Sequence, residues 1–508
     1  MNEHDTGMGI VARQSIKGSL ANYIGVAIGF FTTFFVLTDY LTQEEIGFTR
    51  VLVDAATLFA ALAQLGTNST IIRYFPYFND RRRNHGIFGL SVLFPLVGFF
   101  LVALVLFVFR SDITELYAER SPLIKDYFHL LLPLTFFVLY ITVCESNANV
   151  LMRITIPKLI REVGIRVFNL MCYLLYGKGV ISFDLFVVLF TASYGVALLL
   201  NLCYLVSLKR ISFRIDLTSV GRHTLTDMVR YSLFMSIVVL ANNSQLLGSL
   251  FIGAQEGLAL TGVYTIAFFI ANVVEVPGRS LSAISRPLVA AAAKDNDWGE
   301  VSSISRNVSL HQFMVSVFIL VFIWINLDAL FDIIPNGDGY RDGKWVVLIL
   351  GLAKIVNSTL SIGTDVLNYS KHFRLSIVFV LILSVSIIAL NYWLVGVWSI
   401  NGAAAATLFA YLLYYAGLLL YIGLKLKVTP FSVAQLKVVL IAAGIVAADM
   451  IWSHTISPIF PDGRLAAVAD VGTKTLVLAA AATAVLYKLK ISQHVNAIID
   501  KAMHIGRK

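Results

Sequence analysis

Apolar stretches of about twenty residues recur along the chain from Gly18 to Leu486, separated by short polar turns where the basic residues gather. A helix of that length spans the roughly 30 Å of hydrocarbon in a bilayer. The alternating ten-residue pattern of a membrane β-barrel is absent. Fourteen helical spans are predicted, at about 18–40, 48–74, 87–109, 126–149, 163–177, 184–208, 231–253, 257–278, 310–334, 345–366, 375–397, 402–424, 436–453 and 466–487. The fifth is short and interrupted by Arg166. Arg13 and Lys17 precede the first span, but no small-residue cleavage site follows a short apolar core, so no cleavable signal peptide is expected. The pattern predicts an all-α polytopic membrane protein.

Composition agrees. Of 508 residues 58% are hydrophobic and 14% charged, whereas soluble domains run near a quarter charged. The net charge of +9 does not point to nucleic acid, because the bases form no single patch. Assigned to loops, 29 of the 39 Lys and Arg fall on the side of both termini and nine on the other, with Lys354 alone deep inside a span. That bias predicts cytoplasmic termini. Trp345, Trp398 and Trp452 then fall at the non-cytoplasmic ends of their spans, as interfacial anchors do. Cys144, Cys172 and Cys203 all lie in apolar spans and read as small buried hydrophobes. The longest inward segment, Arg279–Ser309, suits a helix on the membrane surface, and no segment is long enough for a separate soluble domain.

Two segments resemble one another. "LTQEEIGFTRVLVDAATLFAALAQLGTNSTIIRYFP" runs from Leu41 to Pro76, and "GAQEGLALTGVYTIAFFIANVVEVPGRSLSAISRP" from Gly253 to Pro287. Gly47 and Gly262 each open a helix after a short acidic turn, and each segment ends on an arginine near proline. Two six-helix lobes and two added helices follow as the parse: 1–222, 223–430 and 431–508. These stretches resemble the polysaccharide (O-antigen) exporter family of the multidrug/oligosaccharidyl-lipid/polysaccharide (MOP) flippase superfamily. The resemblance implies two lobes around a central cavity with alternating access. It also implies a bacterial inner-membrane flippase for an undecaprenyl-diphosphate-linked oligosaccharide in O-antigen, capsule or exopolysaccharide synthesis. The added helices would form a groove for the polyprenyl tail. The implied partners are the lipid-linked glycan, membrane lipid, a polysaccharide polymerase and a chain-length regulator.

Ionisable residues at membrane depth are costly and mark functional positions. Lys354 lies nine residues beyond Trp345, roughly 13 Å along a helix, near the midplane. It either lines a cavity for the diphosphate or pairs with a carboxylate such as Asp365 or Glu275. Asn357, on the same face, would bind sugar or a neighbouring helix. Arg50 and Asp54 share a face four residues apart, as do Glu275 and Arg279. Arg50 and Arg279 serve substrate, or Arg50 pairs locally and Arg279 is an inward anchor. Asn242, Asn243 and Gln245 place three amides in the seventh span, for substrate or helix–helix bonding. Glu145, Asn147 and Asn149 make a polar end to the fourth. Asp39 offers a carboxylate to a coupling cation, Na+ or H+, or is simply solvated at the interface. No metal or other cofactor is expected.

GxxxxGK[ST], HExxH and GxSxG are absent, so neither P-loop ATP hydrolysis nor those hydrolase chemistries are indicated, and the expectation is a transporter rather than an enzyme. Three alternatives remain open. A cation-coupled multidrug antiporter would more often have twelve helices and an anionic pocket. A peptidoglycan-precursor flippase would carry several arginines in its first span, which here has none. An O-antigen polymerase or ligase would carry a large outward loop.

Overall fold

The computed structural model describes residues 24–75, 84–208, 222–457, 464–491, 496 and 500. The chain is helical throughout, with no strand among the described residues. Eleven helical stretches are long and apolar enough to cross a membrane. One of these, Leu375–Leu426, breaks at Ser399, whose φ of 52° and ψ of −133° are not helical, so it holds two spans. With Ile24–Tyr40 and Ile165–Gly177 the fourteen expected spans are all represented.

These are α1 (Ile24–Tyr40), α2 (Gln43–Ala63), α3 (Asn84–Val108), α4 (Leu131–Val150), α5 (Ile165–Gly177), α6 (Phe183–Ser207) and α7 (Arg222–Asn242). There follow α8 (Leu258–Asn272), α9 (Trp298–Ile325), α10 (Lys344–Asn368), α11 (375–398), α12 (400–426), α13 (Val433–Thr455) and α14 (Arg464–Lys488). Local chemistry sets the starts. Thr42 and Glu45 form a reciprocal capping box ahead of α2, as Ser432 and Gln435 do ahead of α13.

Three spans are interrupted where hydropathy reads them as continuous. After α2 the chain turns at Leu65 and Gly66, both at positive φ, and resumes as Thr67–Tyr74. A side chain is excluded at Gly66, since a Cβ there would lie 2.1 Å from the Ser232 carbonyl oxygen. α7 stops at its amides, passes a 3-10 turn at Ser244–Leu246 and resumes as Leu247–Gln255. α8 ends in a 3-10 turn, Val273–Glu275, and the helix Val276–Lys294 follows with Pro277 in its first turn, where its missing N–H costs nothing. That last helix covers the first half of the segment 279–309 expected to lie on a membrane surface, and the rest, from Trp298, is instead the start of α9. The helix Val276–Lys294 buries Ser285, Val289, Ala292 and Ala293 and packs on α9 and α10, leaving Ile284 and Leu288 exposed.

The chain forms two compact units, one of residues up to 265 with 387–403, the other of 266–386 with 404–508. In the first, α4 packs between α2 and α6 around Ala60, Leu139, Cys144 and Ala197. Gly47 and Gly262, the paired glycines of the repeat, both belong to this unit and face the opposite backbone. A Cβ on Gly47 would lie 1.9 Å from the Leu258 carbonyl oxygen, and one on Gly262 would lie 2.0 Å from that of Gln43. Small residues let helices approach this closely in lipid. In the second unit, α13 and α14 share a core with α9 through Met314, Leu320, Val438 and Leu478. Cys144 and Cys172 are buried as expected, whereas Cys203 is exposed on α6, an apolar surface position that hydrocarbon tolerates.

Candidate functional site

Both units hold polar clusters among their apolar helices. In the second, the break after α8 places Glu275 where three donors reach it. Lys354 Nζ of α10 lies 3.2 Å from Glu275 Oε2, Arg279 Nη2 lies 3.7 Å from the same oxygen, and Asn357 Nδ2 donates to Oε1 at 3.1 Å. Tyr415 of α12 donates to Asn357 Oδ1 at 2.7 Å, which fixes the amide with its nitrogen toward the acid. The Phe268 ring centroid is 5.3 Å from Lys354 Nζ. Four of the residues singled out from sequence therefore meet at one carboxylate. Lys354 is only 3% exposed, so its charge is committed to Glu275. Asp365, the other partner considered for it, binds Arg286 Nε at 3.1 and 3.2 Å instead. Arg279, with 66% of its side chain exposed, is the accessible cation of the group.

In the first unit, Arg50 Nε and Ser249 Oγ each lie 2.6 Å from Asp54 Oδ2, a buried local pair. Separately, a π-turn at Ile160–Gly164 leads into α5 and presents a chain of alternating charge. Glu145 Oε2 of α4 lies 2.7 Å from Arg161 Nη1, Arg161 Nε 3.4 Å from Glu162, and Arg166 Nη2 3.1 Å from Glu162. Arg166 also donates to the Gly25 carbonyl oxygen of α1. Glycine suits that position: a Cβ on Gly25 would lie 2.6 Å from the Glu162 carbonyl oxygen. The first span thus lacks arginines of its own but receives one from α5. Arg161, Glu162, Arg166, Asn169, Tyr194 and Thr142 line a pocket of about 450 Å³. Asn169 Oδ1 is buried with no hydrogen-bond partner in the protein, which leaves an acceptor at the pocket for a ligand's hydroxyl group.

The remaining sequence-selected residues stand apart from both clusters. Asn242 and Gln245 are exposed at the α7 break, while Asn243 lines the pocket and donates to the Val239 carbonyl. Asp39 is exposed at the end of α1. No group of three or more His, Cys, Asp or Glu able to hold a metal occurs among the described residues. Arg161 and Arg166 escaped sequence reasoning because they sit beside a span end, where a basic residue reads as a topology signal. Glu145 beside them was the available hint.

A third feature lies on α13 and α14. Lys474, inside the last predicted span (466–487) though counted with the outward loop in the charge bias, is 5% exposed within α14. Its Nζ lies 3.0 Å from Asp449 of α13 and donates to the Ile325 carbonyl at 2.7 Å. A lysine ten residues from a helix end is drawn inward once a buried carboxylate waits for it. Beside this clasp, α13 and α14 border an apolar groove of about 570 Å³. Leu440, Ile445, Leu478 and Val485 are among its walls, Gly444 and Ala481 keep it open, and Lys437 is the charged residue of its lining.

No family model and no curated protein matches the sequence. The fold does match solved structures. The lipid II flippase MurJ in an inward closed conformation aligns with a TM-score of 0.74 at 13% identity, covering 94% of this chain and 100% of that one. An inward-facing multidrug resistance MATE family transporter of the MOP superfamily gives 0.59 at 16%, covering 81% and 94%. A MOP superfamily transporter from Pyrococcus furiosus Vc1 (DSM3638) gives 0.55 at 16%, covering 83% and 96%. The chain is a multi-pass helical membrane protein with the fold of these flippases and transporters. The latter two leave uncovered a share of the chain close in size to the segment from 431 to 508.

Proposed function

We propose that the protein is a flippase that moves a polyprenyl-diphosphate-linked oligosaccharide across the bacterial inner membrane by alternating access, with both termini in the cytoplasm. The cargo would enter O-antigen, capsule or exopolysaccharide synthesis. The observation that carries this reading is the apolar groove between α13 and α14. A lipid-linked sugar has two parts with opposite solvation needs. The tail must stay in an apolar environment while the polar head crosses, because unpaired polar groups in hydrocarbon cost several kcal/mol each. A drug antiporter has no need of a tail groove. The accessible Arg279 and the Arg161–Arg166 pocket offer cations, amides and hydroxyls of the kind a diphosphate and sugar require.

A second reading, a peptidoglycan-precursor flippase, is favoured by the likeness to MurJ over the whole of that chain. Deletion of the gene separates the two. Loss of surface glycan with continued growth is expected, and lysis would favour the precursor cargo. Transport itself is tested in proteoliposomes loaded with a fluorescent polyprenyl-diphosphate saccharide, read by access of an outside quencher. Protein-dependent flipping that weakens as the prenyl chain is shortened is expected. Rates equal to those of protein-free vesicles would contradict it.

A further inference from the structure

α9 begins at Trp298 and α12 ends at Leu426, and their ends border a cavity of about 650 Å³ apart from both clusters and the groove. Arg306, Lys425 and Lys427 line it together with Trp298, Ser302 and Asn307, and no carboxylate is in the lining. Two acids flank the lining in sequence: Asp297 is occupied in capping α9, accepting the Glu300 N–H at 2.9 Å, and Glu300, exposed on the first turn of α9, is not in the lining. Arg306 Nη2 donates to Thr429 Oγ1 at 3.3 Å, which uses one arm of its fork and leaves the rest. Ser302 Oγ is buried without a partner. Lys427 holds φ 57° and ψ 28°, a left-handed position after a helix end that glycine usually fills and a side chain adopts only at a cost.

Three cations, a hydroxyl and an amide without a counter-acid match the oxygens of a phosphate group. The placement at the ends of two membrane-crossing helices, beside a tryptophan, is headgroup level. We propose that this cavity binds the phosphate of an anionic phospholipid of the leaflet it faces. This site is independent of the cargo.

The test uses the full chain in detergent, with lipid retention read by native mass spectrometry. The wild type retains phosphatidylglycerol at concentrations where phosphatidylcholine is lost. Each basic residue near a membrane surface is worth roughly fivefold in binding. Lys425→Gln with Lys427→Gly should therefore lower phosphatidylglycerol affinity at least tenfold while leaving phosphatidylcholine unchanged. Glycine suits the backbone at 427, so the thermal unfolding midpoint should hold or rise. Lys371→Gln, outside the lining, should change nothing. Unchanged phosphatidylglycerol affinity in the double variant would overturn the site, as would an equal loss from Lys371→Gln. Lysine-dependent binding of free pyrophosphate without phosphatidylglycerol retention would overturn the lipid assignment.

Discussion

The two polar clusters use the same kinds of ions for different ends. Around Glu275 the lysine side chain is 4% exposed and the acid 17%, and the close lysine, the more distant Arg279 and one amide surround the carboxylate. Along the turn before α5, the side chains of Glu145, Arg161, Glu162 and Arg166 keep between 20% and 48% exposure, and the last three border an open pocket with the unpartnered Asn169 Oδ1. Burial decides which role a charge has. A closed pair holds helices, since separating it would strand a charge in low dielectric. An open chain of charges can exchange partners with a ligand at small cost. The closed pair in the second unit fixes the broken end of α8 to α10, while the open chain in the first unit borders a pocket.

The largest effect expected from this contrast is on stability. Lys354→Ala leaves Glu275 with the more distant Arg279 and should cost about 3–5 kcal/mol, the range for breaking a buried pair. Membrane abundance and thermal unfolding in detergent read it. The double change Lys354→Met, Glu275→Gln should recover most of the loss, because no charge remains buried. A Lys354→Ala protein as stable as wild type would show that the pair holds nothing. In the open chain the balance is reversed. Arg161→Ala and Arg166→Ala should each change stability by no more than about 1 kcal/mol, as exposed pairs do, yet lower flipping at least tenfold at unchanged abundance. Equal flipping in both variants would remove the pocket from the transport path.

Much of the scaffold was legible in the sequence for a plain reason: a bilayer imposes a length and an apolarity on every crossing segment. Gly47 and Gly262 were visible only as matching positions of a repeat; that each faces the other helix's backbone, where no side chain fits, emerged from the packing. Lys354 stood out as a base inside a span with Glu275 and Asp365 as possible partners; the choice of Glu275 was not legible, because it depends on the break before Pro277 and on Arg286 taking Asp365. The breaks at Gly66, Ser244–Leu246 and Val273–Glu275 are invisible to hydropathy, which averages over a window longer than a turn. Arg161, Arg166 and Lys474 were hidden by the same ambiguity. Near a span end, a base that anchors topology and a base that folds back onto a carboxylate have the same local sequence.

The tail groove is the feature on which the cargo reading rests, and Gly444 allows it to be closed without disturbing its walls. A Cβ at Gly444 meets nothing within 4 Å, and replacing a glycine inside a helix favours the helix, by up to about 1 kcal/mol on propensity alone. Gly444→Phe should therefore insert and fold as well as the wild type while its ring occupies the space between α13 and α14. Flipping of the fluorescent polyprenyl-diphosphate saccharide in proteoliposomes should fall at least tenfold, with the thermal midpoint unchanged or raised. Wild-type flipping by a stable Gly444→Phe protein would contradict a tail-carrying groove.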